Sequence, residues 1–413
     1  MKKIIFFNII ALLLLVSCSR EEETFYAEQE AVVPNIGKKI DILPDYLTDK
    51  GIINISMVAT GNYTGIYDSR FLKDITGGNS SYCHPDVLYF PQGFNGYKYW
   101  MVFTPYFGAV GMTHESIRFE NPTVVVSNDG INWTAPMGIK NPLQCTPSPQ
   151  ESIIEKKGQT KQGYWSDVDW VYVNNKFYLY YRGSAITAKA LKDRGAKSQN
   201  NRVKLQKNAS RNIMQQTSTD GIHWTPMEAV INSNKPYTPD DNILVSPSMI
   251  HNGSQFISYE VDNNTGKKNF KGNDPSYIIK RTSVDGLNFS TFTRSKIVNF
   301  ATKPWLDVDP GYAPWHIQAA YVDGYYFLCI AIGYVKSSTA EALYMAYSKD
   351  GTNFVVFPKP MVEKNAYRSA VFPMNSDNET IRMGAVIGLK SGVFKYREFT
   401  LNKEKLDKGL EAK

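Results

Sequence analysis

Through most of this chain apolar residues alternate with polar ones in short runs, the period of half-buried β-strands; no long stretch repeats with the period of a helix. The runs come in pairs: 86–90 with 99–103, 169–173 with 177–181, 248–252 with 256–259, and 318–322 with 326–330. Each pair is followed by one turn pattern, a Ser, one residue, Asp-Gly, two residues and an aromatic. It stands at Ser127 to Trp133, Ser218 to Trp224, Ser283 to Phe289 and Ser348 to Phe354. Asp-Gly between apolar runs is a hairpin signal in which the glycine takes a positive φ. The turn aspartates Asp129, Asp220, Asp285 and Asp350 stand 91, 65 and 65 residues apart, so one unit carries an insertion. A fifth pair, 369–373 with 381–386, is followed by a strand at 393–401 and lacks the turn. The pattern predicts an all-β chain, a five-bladed β-propeller of four-stranded antiparallel blades over residues 51–402. A lysine-rich tail at 403–413 follows it and shows a helical pattern.

The composition fits many short strands and tight turns: 26 Tyr, 21 Phe and 7 Trp with 29 Gly and 21 Pro. At the N-terminus Lys2 and Lys3 precede an apolar run, and Leu15-Val16-Ser17-Cys18 reads as a lipobox. Residues 1–17 are therefore expected to be a lipoprotein signal peptide, with lipid on Cys18 and a lead at 18–50. The acidic stretch Ser19-Arg20-Glu21-Glu22-Glu23 resembles the surface-export signal of Bacteroidota lipoproteins. The expected location is the outer membrane, exposed at the cell surface, with the lipid as the only membrane contact and the chain a monomer. After Cys18 an odd number of cysteines is left, which rules out a complete disulfide framework.

The net charge of +7 is uneven. Between Ile186 and Arg211 eight basic residues face one acid, Asp193, inside the long repeat interval. Such a run is either a solvated loop or a clamp for an anionic glycan. An extracytoplasmic address and aromatics already used in strands argue against nucleic acid.

The chemistry is sought at the end of the propeller opposite the Asp-Gly turns, where the innermost strands begin. Aligning the copies gives one ring of Asp86, Asp169, Ser248, Gln318 and Ser369, and two residues earlier a second ring of His84, Asp167, Ser246, His316 and Tyr367. A packed core would be apolar here. These positions hold Asp and His without one aliphatic residue, which predicts a polar funnel along the axis. Asp86 or Asp169 could instead cap a neighbouring blade's backbone. Arg182, Glu260 and Glu120 lie on strands that open at the same face, and Trp165, Trp315 and Tyr312 flank the inner strands, suited either to a sugar face or to packing between blades. No Cys and His spacing marks a zinc site. No ligand string marks the axial calcium that rings of Asp and His would allow, so no metal or cofactor is expected.

The Ser-x-Asp-Gly-x-x-Trp turns, with an Asp near the start of the inner strand in the first two blades, resemble the five-bladed propeller glycoside hydrolases of families 43, 32, 62 and 117. The resemblance covers roughly residues 80–400. It implies an extracytoplasmic hydrolase of glycosidic bonds in a polysaccharide, with a furanosidase such as an arabinofuranosidase as one form. It also implies Asp86 as base or nucleophile, Asp169 as the orienting carboxylate and Glu260 as the acid. His316 is the rival acid, because family 117 is similar in using a histidine. His84, Glu120, Asp167, Arg182, Trp165 and Trp315 would bind substrate, a polysaccharide or oligosaccharide that is anionic if the basic run meets it. The third blade departs from the pattern, with Ser246-Pro247-Ser248 where a carboxylate is expected. That departure keeps a second class open, a catalytically silent glycan-binding lipoprotein, and a third, a lyase on the same fold.

Overall fold

The computed structural model describes residues 47–56, 82–108, 118–120, 122–143, 153–154, 160–161, 164–184, 211–232, 243–263, 276–290, 298–334 and 339–411. The expected signal peptide, Cys18 and nearly all of the basic run lie outside them.

Five small sheets form a five-bladed β-propeller. The N-terminal strands are β1 (Thr48–Ile52) and β2 (Asn54–Ser56). Blade 1 is built from β3 (Tyr82–Phe94), β4 (Tyr97–Gly108), β6 (Thr123–Ser127) and β7 (Asn132–Thr134), with β5 (Arg118–Glu120) paired to β4 and β2 added beside β7. A short hairpin of β8 (Ile153–Ile154) and β9 (Thr160–Lys161) precedes blade 2, which is β10 (Tyr164–Val173), β11 (Lys176–Ser184), β12 (Arg211–Ser218) and β13 (Glu228–Asn232). The described strands of blade 3 are β14 (Ile243–His251), β15 (Phe256–Asn263) and β16 (Tyr277–Ser283). Blade 4 is β18 (Ala313–Val322), β19 (Tyr325–Tyr334), β20 (Thr339–Ser348) and β21 (Asn353–Val356), edged by β17 (Asn299–Phe300). Blade 5 is β22 (Ala370–Ser376), β23 (Thr380–Gly388) and β24 (Phe394–Asn402), followed by helix α1 (Lys403–Glu411). Its outer strand is β1, antiparallel to β24. The N-terminal segment thus completes the last blade and ties the ring shut, and Thr48 to Lys50 of that strand come from the stretch read as a lead.

The core lies between blades rather than within them. One apolar cluster joins Val87 and Tyr99 of blade 1 to Phe372 and Tyr396 of blade 5. Others fill the remaining junctions, as with Trp100 against Trp170 and Phe177, and Tyr259 against Ile317 and Leu328. The repeated turn serves these junctions. In the first copy Ser127 Oγ accepts from Gly130 N at 3.0 Å, and Asp129 Oδ1 accepts from Ile131 N and Asn132 N at 2.8 Å each. The glycines take φ of +77, +74, +73 and +67° at Gly130, Gly221, Gly286 and Gly351. Each backs onto an aromatic residue of the preceding blade, the rings of Tyr396 and Trp100 for the first two and the hydroxyls of Tyr180 and Tyr259 for the last two. Tyr180 and Tyr259 also donate their hydroxyls to Gly286 O and Gly351 O, at 2.9 and 2.7 Å. The motif recurs because it latches one blade to the next.

A side chain at a latch glycine should therefore cost more than backbone strain alone. At Gly221 a Cβ would lie 2.4 Å from Trp100 Cζ3, whereas at Gly96, also left-handed at φ +86°, it would meet nothing within 4 Å. Gly221→Ala is expected to lose about 2–4 kcal/mol and Gly96→Ala about 1 kcal/mol. Urea unfolding of the two variants measures this, and equal losses would remove the latch.

Candidate functional site

The site is made by irregularities in the inner strands. In β3, β10 and β14 the pairing register jumps between Cys83 and Asp86, between Ser166 and Asp169, and between Val245 and Ser248. The first unpaired residue of each bulge, His84, Asp167 and Ser246, takes a left-handed φ of 54, 54 and 51°. Non-glycine residues hold that conformation at a cost of about 1–2 kcal/mol each. Blade 4 has its own shift between Pro314 and His316. Bulges re-aim side chains, and here they bring the second ring together.

Asp167 is the hub. Its Oδ1 lies 3.4 Å from His84 Nε2 and 3.2 Å from His316 Nδ1, and accepts from Ser246 Oγ at 3.2 Å. Its Oδ2 is held by Arg182 Nε at 2.8 Å and by Ser166 Oγ at 3.1 Å. Ser246 Oγ also hydrogen-bonds His316 Nδ1. The far nitrogens of both imidazoles meet hydroxyls, His84 Nδ1 with Thr104 Oγ1 at 2.8 Å and His316 Nε2 with Tyr367 OH at 3.2 Å. Burial tends to raise Asp167, but Arg182, His84 and His316 outweigh it and hold this carboxyl well below the ordinary range. Burial pushes His316 down to about 4 against the opposing pull of Asp167. The hub is thus an ionised carboxylate facing a neutral imidazole.

Thr104 Oγ1 lies 2.8 Å from His84 Nδ1 and within reach of Cys83 O at 3.3 Å. Between His84 Nε2 and Asp167 Oδ1 either a proton or a metal ion can bridge, according to the tautomer of the imidazole. His84, Asp167 and His316 each offer a ligand atom, all within 4.8 Å of one another. The separations of 3.2 and 3.4 Å match the ligand–ligand edges of about 3.0–3.4 Å that bonds near 2.1 Å produce. Hydroxyl partners on the far nitrogens are the outer support that metal-binding imidazoles receive. The residues therefore fit a divalent cation on two His and a monodentate Asp, with positions left over. The sequence had already grouped the three in one ring that would allow an axial ion, but the ligands stand on three blades and no ligand string marked a site.

The first ring does a different job. Asp86 Oδ2 accepts from Trp170 N at 2.9 Å, Asp169 Oδ1 from Met249 N at 2.7 Å, Ser248 Oγ from Ala319 N at 2.7 Å and Gln318 Oε1 from Val371 N at 2.9 Å. Each residue satisfies a buried amide on the next blade. Asp86 also accepts from Val87 N and Gln318 Nε2, at 3.0 Å each, and Asp169 from Ser248 Oγ at 2.8 Å. The two carboxylates assigned to catalysis by resemblance are therefore placed in this belt beneath the triangle, with their oxygens used in hydrogen bonds. Burial raises Asp86 to about 6 and, with Asp86 alongside, lifts Asp169 well above the usual range.

Glu260 is also placed elsewhere. It is fully buried, accepting from Ser258 Oγ at 2.6 Å and paired with Arg281 Nε at 3.1 Å. Trp315 is buried in the cluster between blades 4 and 5, its ring edge-on to His316 with centroids 5.2 Å apart. It supports His316 from behind and presents no sugar-binding face. Arg182 clamps Asp167, and the side chains of Glu120 and Trp165 lie outside the described residues. Sequence reasoning missed Arg368. Its buried guanidinium reaches from blade 5 to Asp169 Oδ2 at 3.3 Å, Pro247 O at 3.2 Å and Asp167 Oδ1 at 3.8 Å. Its place between Tyr367 and Ser369, members of the two rings, was the available signal.

No family model matches the chain. It is 24% identical over 328 residues to a protein of Flavonifractor plautii named A type blood N-acetyl-alpha-D-galactosamine deacetylase; the match covers 71% of this chain and 36% of that protein. The chain thus spans about a third of the length of this curated relative. Among solved structures it is similar to an N-acetylgalactosamine deacetylase from F. plautii in complex with blood group B trisaccharide. That likeness has a TM-score of 0.57 and 18% identity, covering 87% of this chain and 96% of that one. A structure described as a glycoside hydrolase gives a TM-score of 0.50 at 12% identity, covering 93% and 96%. These likenesses support the propeller fold.

Belt and triangle should separate under mutation. Asp169→Ala strips an acceptor from Met249 N and leaves Arg368 short of its partner, and is expected to cost about 3–5 kcal/mol. Asp167→Asn keeps a residue type that tolerates the left-handed φ of 54° and an oxygen for Arg182, and is expected to cost less than half as much. Thermal unfolding of the cation-free variants reads the difference, and the reverse order would refute the division of labour.

Proposed function

We propose that this chain is a carbohydrate-acting hydrolase whose reaction runs at a divalent cation held by His84, Asp167 and His316, and that the bond it cuts is the amide of an N-acetylated sugar. The observation that carries the reading is the triangle itself, one carboxylate oxygen shared by two imidazoles at 3.2 and 3.4 Å. The named activity of the F. plautii relative supports the choice of bond. A cation at this position would polarise the acetyl carbonyl and bring the pKa of a bound water toward neutrality.

The protein's own groups do the rest. Asp167 supplies negative charge through one oxygen, because Arg182 and Ser166 hold the other. Thr104 and Tyr367 fix the two imidazole planes. The hydroxyls of Ser246 and half-buried Tyr367 border the triangle, where an oxyanion formed from the carbonyl would need donors. Water adds to the acetyl carbon, the C–N bond breaks, the amine nitrogen takes up a proton, and acetate leaves.

A second reading, hydrolysis of a glycosidic bond as by an arabinofuranosidase, is favoured by one observation. His316 and Asp167, 3.2 Å apart in the second ring, form a pair suited to passing a proton. Acetate and reducing-sugar assays on N-acetylated oligosaccharides decide between them. The amide reading expects acetate release that chelation abolishes and Zn²⁺, Mn²⁺ or Co²⁺ restores. His84→Ala and His316→Ala should each lose at least about a thousandfold in kcat/KM, and Thr104→Val about 10–100-fold in cation affinity. Reducing-sugar release indifferent to chelator would favour the second reading, and binding without either product would favour a silent glycan-binding protein.

We also propose that the protein works outside the cytoplasm as a monomer anchored at the outer membrane by lipid on Cys18. The lipobox at Leu15-Val16-Ser17-Cys18 supports this placement. Cys18→Ala should abolish labelling by a palmitate analogue and shift the protein from the membrane to the soluble fraction; unchanged labelling would refute it.

A further inference from the structure

A second feature stands on blade 4, beside the start of its inner strand. The chain between β17 and β18 folds over Trp305, which is buried and packs edge-on against Phe300 and Tyr344 with centroids 5.5 and 5.7 Å away. Backbone bonds from Leu306 N to Lys303 O, Val308 N to Trp305 O and Tyr312 N to Asp309 O, at 3.0, 3.2 and 3.0 Å, brace the segment. On this pedestal apolar groups face water: Leu306 is 42% exposed, Val308 67% and Tyr334, at the end of β19, 39%. The rings of Tyr334 and Tyr312 meet edge-on with centroids 4.9 Å apart. Asp309 accepts from Gly311 N at 2.8 Å and from Tyr334 OH, which fixes the tyrosine. A braced segment holding aliphatic and aromatic side chains in solvent is not explained by folding, since exposing them gains nothing.

Strand geometry gives its distance from the triangle. His316 pairs with Ala331, and Tyr334 stands three residues further along β19. At about 3.3 Å per residue the tyrosine is roughly 10 Å nearer the mouth than His316. It shares a strand face with Ile330 and Ile332, the face turned toward blade 3, whose inner strand supplies Ser246 to the triangle. A sugar held at the triangle and extended toward the mouth would carry its next unit past this surface. An aromatic plane with adjoining aliphatic groups and a fixed carboxylate matches a pyranose, which has an apolar face of C–H groups and a rim of hydroxyls.

We propose that Tyr334, with Tyr312, Leu306, Val308 and Asp309, forms a subsite for a non-reacting sugar of an oligosaccharide whose terminal unit sits at the triangle. The protein therefore selects chains of two or more sugars over the single unit. The inference deepens the proposed function, and its test is a binding measurement that needs no turnover.

Isothermal titration of the full chain with N-acetylated tri- to pentasaccharides and the matching monosaccharides reads it directly. At least one oligosaccharide should bind about tenfold tighter than its monosaccharide. Tyr334→Ala should erase that advantage, Tyr334→Phe should keep most of it, and both should bind Zn²⁺ as the parent does. His84→Ala should lose Zn²⁺ and keep the preference for longer chains, so the failure of the cation reading and of this one are distinguishable. Equal affinity for long and short sugars, or a Tyr334→Ala variant with the parent's preference, would overturn the subsite.

Discussion

A propeller closes only if the amides at the start of its inner strands find acceptors, because that shaft is sealed from water and a buried N–H left unmatched costs about 1–3 kcal/mol. In this chain the acceptors are side chains at one repeated position. Asp86, Asp169, Ser248 and Gln318 each take the amide of the following blade. Two of the four are carboxylates, and carboxylates buried this deeply require compensation. Gln318 Nε2 donates to Asp86, and the guanidinium of Arg368 is paired with Asp169. Closure of the ring and the charge balance of its centre are consequently one problem, solved by residues from all five blades.

The triangle is the belt's dependent. Its members precede belt residues by two positions, so once Asp86, Asp169 and Ser248 are anchored to their neighbours the bulges before them have little room to move. His84, Asp167 and Ser246 all sit at left-handed φ, a conformation that short polar residues tolerate and aliphatic ones do not. Strain that is held by surrounding structure is characteristic of places where side chains must be aimed. The belt and triangle also divide the charge. Burial raises Asp86 and Asp169, whereas Arg182 and two imidazoles hold Asp167 ionised. The negative charge available to a cation is concentrated at the one oxygen that both histidines face.

Much of this fold was legible because its signals are local. Alternation marked the strands, and Ser-x-Asp-Gly marked the turns whose glycines lie against the preceding blade. The two rings were legible as well, since the repeat supplies the alignment. What could not be read was which ring does what. Asp86 and Asp167 are both acids near the start of an inner strand; they differ in that one falls on the regular ladder and the other on a bulge. A bulge leaves no composition signal, so the sequence could not tell the paired ring from the bulged one. Glu260 likewise looks like a funnel acid until its strand is paired, which buries it against Arg281. The strand β1 that completes blade 5 carries no turn motif, and its partner β24 lies at the other end of the chain.

The two hydrolytic readings ask different things of carboxylates. Cleaving a glycosidic bond by paired acids needs two carboxyl groups on opposite sides of a sugar, one protonated and one able to reach water or the anomeric carbon. Asp86 and Asp169 already accept backbone amides, so using either as a base would open the belt at the step when rigidity matters. A cation on the triangle asks for one ionised carboxylate oxygen and two neutral imidazoles supported from behind, and leaves the belt intact. Thr104 and Tyr367 provide that support from strand β4 and from the approach to β22. On the proposed reading, hydrolysis at the triangle would leave the closure of the ring undisturbed.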